Sequence, residues 1–138
     1  MSLLQISVFL ENKPGSFAQV ADLLSRNNIN MRAMSVAETD RFGILRMIVD
    51  EYEKTAAVLT DNGYVFKEVP VLGIEVEDKP GSLVTILNIL REEQINLEYM
   101  YAFITSKKDS AYLVFRVDDP DKTTDILHNK GYHLLHSV

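Results

Sequence analysis

The tetrapeptides Lys13-Pro14-Gly15-Ser16 and Lys79-Pro80-Gly81-Ser82 stand 66 positions apart and head two tracts that match in order. At that offset Leu24 meets Leu90, and Ile29-Asn30 meets Ile95-Asn96. Further on the offset is 68: Val49-Asp50 meets Val117-Asp118, Lys54-Thr55 meets Lys122-Thr123, Leu59 meets Leu127, and Gly63-Tyr64 meets Gly131-Tyr132. A single short insertion between Thr105 and Ala111 accounts for the change, where a hairpin turn tolerates added length. Chance gives one such tetrapeptide, not an ordered series with one gap. The chain is therefore a duplication of a unit of roughly 65–70 residues, too long a period for a solenoid and too short for a comfortable independent core. The copies are expected at residues 1–69 and 70–138. Glu68-Val69-Pro70 between them is too short for a free linker.

Each copy reads the same way. Leu4, Ile6, Val8 and Leu10 alternate with Gln5, Ser7 and Glu11, the pattern of a half-buried strand, and Leu72, Ile74 and Val76 repeat it. Pro-Gly then ends the strand. Phe17, Val20, Ala21 and Leu24, matched by Leu83, Ile86, Leu87 and Leu90, give a helical stripe. Second strands are expected from Ile29 and Ile95, turns at residues 39–43 and 106–109, and third strands through Leu45-Met47-Val49 and Leu113-Phe115-Val117. Second helices begin near Asp50 and Asp118-Asp119-Pro120, where acidic caps and a first-turn proline fit. Gly63 and Gly131 close them. Last strands run from Tyr64 to Val69 and from Tyr132 to Ser137. The order β-α-β-β-α-β, twice, is an α+β fold: two ferredoxin-like units packed together, each an antiparallel sheet with helices on one face.

Composition narrows the chemistry. The formal net charge of −6 and pI near 5.0 argue against binding nucleic acid backbones. No apolar run approaches the ~20 residues of a membrane span, and no secretory leader is expected. With no cysteine, disulfides, thiolate metal sites and cysteine nucleophiles are excluded, and a cytoplasmic setting fits. Arg41-Phe42-Gly43 faintly resembles an RNA-recognition signature but has no counterpart in the second copy. No nucleophile elbow, phosphate loop or zinc-protease motif is present. His133 and His136, taken as strand residues, face opposite ways and share no metal with His128. Tyr99 and Tyr101, on one strand face with Leu97 and Phe103, read as packing residues at an interface. The loop before each first helix remains. Gly15 permits a tight turn, and the amides of Gly15, Ser16 and Phe17 lack intrahelical acceptors, so a carboxylate could bind there. An ordinary turn with a helix cap explains the same residues.

Glu11-Asn12-Lys13-Pro14-Gly15-Ser16, a helix, then Asn28-Ile29-Asn30-Met31 resembles the ACT domain, and so does Glu77-Asp78-Lys79-Pro80-Gly81-Ser82 with Gln94-Ile95-Asn96-Leu97. The resemblance spans nearly the whole chain as two units and is similar to stand-alone tandem ACT proteins of bacteria and to small regulatory subunits. It implies an amino-acid-binding regulatory protein that is not an enzyme, needs no cofactor or metal, and holds its ligand between ACT units. The residues it points to are Asn12, Lys13, Pro14, Gly15, Ser16, Phe17, Asn30 and Met31, and their partners Asp78, Lys79, Pro80, Gly81, Ser82, Leu83, Asn96 and Leu97. Asp78 in place of Asn12 implies two unequal sites, since a carboxylate repels a ligand carboxylate and attracts an ammonium group. Two rival expectations stand beside this: a ligand-independent regulatory subunit that docks a metabolic enzyme, and, ranked last, a small enzyme. Strand edges and apolar sheet faces point to a homodimer.

Overall fold

The computed structural model describes residues 3–105 and 107–136. The expected turn residue Ser106 and strand residue Ser137 lie outside them. The elements follow the expected order: β1 (Leu3–Glu11), α1 (Ser16–Arg26), β2 (Met31–Glu38), β3 (Phe42–Val49), α2 (Tyr52–Asp61), β4 (Val65–Glu77), α3 (Ser82–Glu92), β5 (Leu97–Ala102), β6 (Ser110–Val117), α4 (Pro120–Asn129) and β7 (His133–Leu135). The fold is α+β with the βαββαβ pattern twice. Contacts divide the chain into two compact units, Leu4–Val69 and a second that runs on from Pro70 and includes Leu3. One departure is topological. The expected last strand of the first copy and first strand of the second are a single 13-residue strand, β4. Pro70 does not break it, because a proline is tolerated in a strand wherever its missing N–H is not needed by the ladder.

In the first unit β3 lies between β1 and β2, antiparallel to both, with Val8 opposite Leu45 and Leu45 opposite Val36. Ile6, Val8 and Leu10 join Leu45, Met47 and Val49 on one sheet face, where Val20 and Leu24 of α1 and Leu59 of α2 meet them. The second unit repeats this core with Leu72, Ile74, Val76, Phe115, Val117, Ile86, Leu90 and Leu127. There β6 lies between β4 and β5, and β7 pairs with the other side of β4. Each fully buried aliphatic side chain contributes about 1.5–3 kcal/mol, which makes these two clusters the main stabilising term. Thr55 and Thr123, both fully buried, sit at matching positions. Each hydroxyl donates to the carbonyl four residues earlier at 2.7 Å, so neither is buried without a partner.

Three local expectations are corrected. Leu4 is 43% exposed, whereas Gln5 and Ser7 are buried and joined by a 2.9 Å hydrogen bond from Gln5 Nε2 to Ser7 Oγ. Alternation alone cannot reveal that a strand is covered on its second face. The second strands begin two residues late, at Met31 and Leu97, because Ile29 and Ile95 are spent on helix closure, as described next. A register shift between Leu97 and Tyr99 then turns Leu97 into the core with Met100 and leaves Tyr99 and Tyr101 on the other face. Leu97 therefore does not share a face with Tyr99: a bulge puts two residues opposite one and resets the alternation.

The four helices among the described residues close the same way. The residue after the cap adopts positive φ in Asn28 (58°), Gly63 (77°), Gln94 (56°) and Gly131 (88°). Its amide and the next one fold back onto the last turn, as in Gly63 to Thr60 O, Tyr64 to Leu59 O, Gln94 to Arg91 O and Ile95 to Leu90 O. Gln94 is the poorest fit, since a Cβ resists this region and an amide side chain gains less there than asparagine. Replacing Gln94 with Gly should raise stability by ~0.5–1 kcal/mol, and Gly131→Ala should lower it by ~1–2 kcal/mol, both read from urea unfolding midpoints at constant m.

Candidate functional site

The two loops are built alike. Gly15 and Gly81 are the helix N-caps, with φ of 86° and 90°, and no side chain caps either helix. A Cβ at either position would meet nothing within 4 Å, so the requirement for glycine is conformational and not steric. The amides are less free than expected. Ser16 N–H reaches Lys13 O and Ser82 N–H reaches Lys79 O, each at 3.3 Å. Long bonds of this kind are weak and readily exchanged. Lys13 and Lys79 fold back onto the last glutamate of the preceding strand, at 3.2 Å from Glu11 and 2.8 Å from Glu77. The bond to Glu77 raises the Lys79 ammonium above its ordinary pKa.

Asn12 and Asp78 occupy matching places, their amides bonded to Arg41 O in the β2–β3 turn and Asp109 O in the β5–β6 turn. Asn12 Nδ2 lies 3.5 Å from Thr39 O, a long contact with the β2–β3 turn. Asn30 and Asn96 are elsewhere. They precede β2 and β5 at the far end of the sheet from the loops, and eight strand residues put that end roughly 20 Å or more away. Within one unit, then, the structure gathers the loop residues and does not bring Asn30 or Asn96 to them. Met31 and Leu97 pack on the two cores. The aspartates at 50 and 118, expected as helix caps, have another role. Asp50 Oδ1 accepts from Asn30 N–H at 3.0 Å, Asp118 Oδ1 accepts from Asn96 N–H at 3.1 Å, and each aspartate returns its own amide to the same asparagine's carbonyl. Asp119 is the residue that caps α4, accepting from Lys122 N–H.

Beside the second loop lies a cavity of about 570 Å³. Lys79, Pro80, Gly81, Ser82 and Thr85 form one wall, Glu75 and Glu77 of β4 with Ser110 of β6 another, and Tyr132 and His133 close it. Of these, Glu75, Thr85 and Ser110 were not singled out from the sequence, and His133 was weighed only as a metal ligand. The repeat itself carries the signal: at matching positions the first copy has Phe9, Gln19, Phe42 and Val65. Phe9, Phe42 and Val65 are 39%, 55% and 68% exposed, so the first unit offers apolar surface where the second offers polar groups. The loops diverge too. Phe17 packs on the first core with its ring against Gly43, where a Cβ would come within 2.6 Å of Cζ. That contact explains the glycine of Arg41-Phe42-Gly43. The second copy has Leu83 and Ala111 instead.

Glu75 is the best-held charge in the cavity. Lys107 Nζ lies 2.6 Å and Ser110 Oγ 3.1 Å from its Oε1. The lysine holds the carboxyl below its ordinary pKa against the opposing effect of desolvation, and Ser110 assists. The same contact, with Tyr112 Oη at 3.3 Å, raises Lys107. His128, His133 and His136 line a neighbouring cleft of about 480 Å³. β7 ends at Leu135, so His136 is not a strand residue and strand alternation does not apply to it. Even so, no cluster of metal-ligating residues occurs among the described residues, and no helix there is long and apolar enough to cross a membrane.

Two βαββαβ units, each with a glycine-capped helix opening after its first strand, define a duplicated ferredoxin-like protein. The model of the ACT domain pair family matches residues 1–136, and the chain belongs to that family. It superposes on protein BT0572 from Bacteroides thetaiotaomicron with a TM-score of 0.91 and 37% identity, over 98% of this chain and 92% of that one. The regulatory subunit of aspartate kinase from Thermus thermophilus is similar in fold, with a TM-score of 0.66 at 12% identity over 93% and 91% of the two chains. Its Thermus flavus counterpart gives 0.60 at 13% identity over 94% and 92%. A search of curated proteins gave no significant match.

A carboxyl with a lowered folded pKa stabilises the native state above its ordinary range, and that contribution disappears as pH falls through the folded value. The stability difference between wild type and Glu75→Gln should therefore be full at neutral pH and shrink below about pH 4. Urea midpoints measured across that range check this, and a difference independent of pH would contradict it.

Proposed function

We propose that this ACT domain pair, with its units meeting at Val69–Pro70, is a regulatory protein that responds to an amino acid. The observation that carries the reading is the cavity beside Lys79-Pro80-Gly81-Ser82, which sets an uncapped helix start near a carboxylate. An amino acid carries the complementary pair of charges. Its α-carboxylate suits the amides and positive dipole end of α3, and its ammonium group suits Glu75. Lysine and serine side chains at the loop are ordinary turn furniture by comparison. Binding that favours one conformation of the unit would shift its population, which is the form regulation takes in such a module.

Divergence between the copies supports unequal sites. The first unit has Phe9, Phe42 and Val65 at the positions of Glu75, Ser110 and His133, and Asn12 at the position of Asp78. The same exposed apolar residues favour the second reading, in which the first unit docks a metabolic enzyme without sensing anything. In that reading the chain would co-purify with an enzyme, and Phe9→Ser with Phe42→Ser would release it.

A thermal-shift screen of the twenty amino acids tests the main reading. At least one should raise Tm, and the shift should grow with concentration as mass action requires. Isothermal titration with that amino acid should give either one site per chain or two of different affinity. Two identical sites, or no shift with any amino acid, would count against it.

A further inference from the structure

Glu75 is not alone in its corner of the cavity. It sits directly opposite Tyr112 in the β4–β6 ladder, with Ser110 two residues away on the same face. Together they make the kind of cradle that holds an ammonium group: a charged acceptor steadied by the hydroxyl that Ser110 donates to it, a neutral acceptor in the Tyr112 hydroxyl, and a ring face for the charge. The cradle is filled by the chain itself. Lys107 Nζ lies 2.6 Å from Glu75 Oε1, 3.3 Å from Tyr112 Oη and 5.8 Å from the centre of the Tyr112 ring. Glu75 and Ser110 line the cavity, whereas Lys107 enters from the β5–β6 turn and keeps over half of its side chain exposed.

The first copy lacks every part of this arrangement. Phe9, Phe42 and Ile44 stand at the positions of Glu75, Ser110 and Tyr112. A cradle needed only to brace the fold would be expected wherever the fold is used. This one belongs to the copy with the polar cavity.

We propose that Glu75, Ser110 and Tyr112 form an ammonium receptor in the second unit, and that Lys107 is its tethered occupant, displaced when a primary ammonium ligand enters. The proposal rests on the amino-acid reading above and assigns the ligand's ammonium end to Glu75. It also assigns Lys107 a regulatory task. A tethered competitor weakens apparent affinity by the fraction of time it occupies the receptor. An ion pair with an exposed lysine is only modestly stable, so an incoming ammonium group can displace it, and removing the lysine should tighten binding by about threefold.

The experiment uses the full chain and three probes: methylammonium, with the ammonium group only; acetate, with the carboxylate only; and glycine, with both. NMR follows the ε-ammonium resonance of Lys107, assigned by its loss in Lys107→Met. Methylammonium and glycine should release Lys107 from Glu75, and acetate should not. Lys107→Met should bind methylammonium and glycine about threefold more tightly, and Glu75→Gln should bind neither. A Lys107 signal unmoved by methylammonium, or equal affinity in wild type and Lys107→Met, overturns the proposal. The two readings fail separately. If methylammonium releases Lys107 while no amino acid shifts Tm, the receptor stands and sensing falls. If an amino acid shifts Tm while Lys107 stays on Glu75, sensing stands and the receptor falls.

Discussion

Everything in each unit is arranged around one backbone constraint, the positive φ of Gly15 and Gly81. It lets the chain leave a strand and enter a helix within a few residues. The helix then lies back across the sheet with Val20 and Leu24, or Ile86 and Leu90, over the core. The same geometry leaves the helix start without a side-chain cap and facing outward. Core and candidate site thus depend on the same turn. A Cβ there would be resisted by the backbone itself, since the space around both glycines is open.

Duplication has kept the framework and released the lining. Thr55 and Thr123 repeat one buried hydrogen bond, and Asp50 and Asp118 tie the same strand start. Those positions are constrained by burial and by backbone satisfaction, which both copies share. Phe9 and Glu75, or Phe42 and Ser110, lie outside the two core clusters and keep part of their surface exposed. Phe17 and Gly43 changed together with Leu83 and Ala111, because a ring and a Cβ cannot share that space. Divergence on a preserved scaffold is how one fold comes to hold two different surfaces.

The site was legible only in part. Both loops could be found because a Lys-Pro-Gly-Ser turn advertises itself locally. Glu75 and Ser110 could not, since nothing in a strand's own sequence says what lies beside it. They become visible when the copies are compared position by position. For His136 the rule of alternating faces does not apply, since it holds only while a strand lasts and β7 stops at Leu135. The bulge before Tyr99 defeated the same rule in β5.

What the sequence determined by itself was the duplication, the order of elements, the helix faces and the two glycine turns. These are set by periodicity and by local φ preference, which act over a few residues. Tertiary structure alone decided that β4 is one strand through Pro70, that Gln5 and Ser7 are buried, and that Asp50 and Asp118 bind strand starts and not helix ends. It alone brought Lys107 onto Glu75, 32 residues away in the chain. Those outcomes depend on which backbones lie side by side, and pairing between distant segments leaves no mark in either segment taken alone.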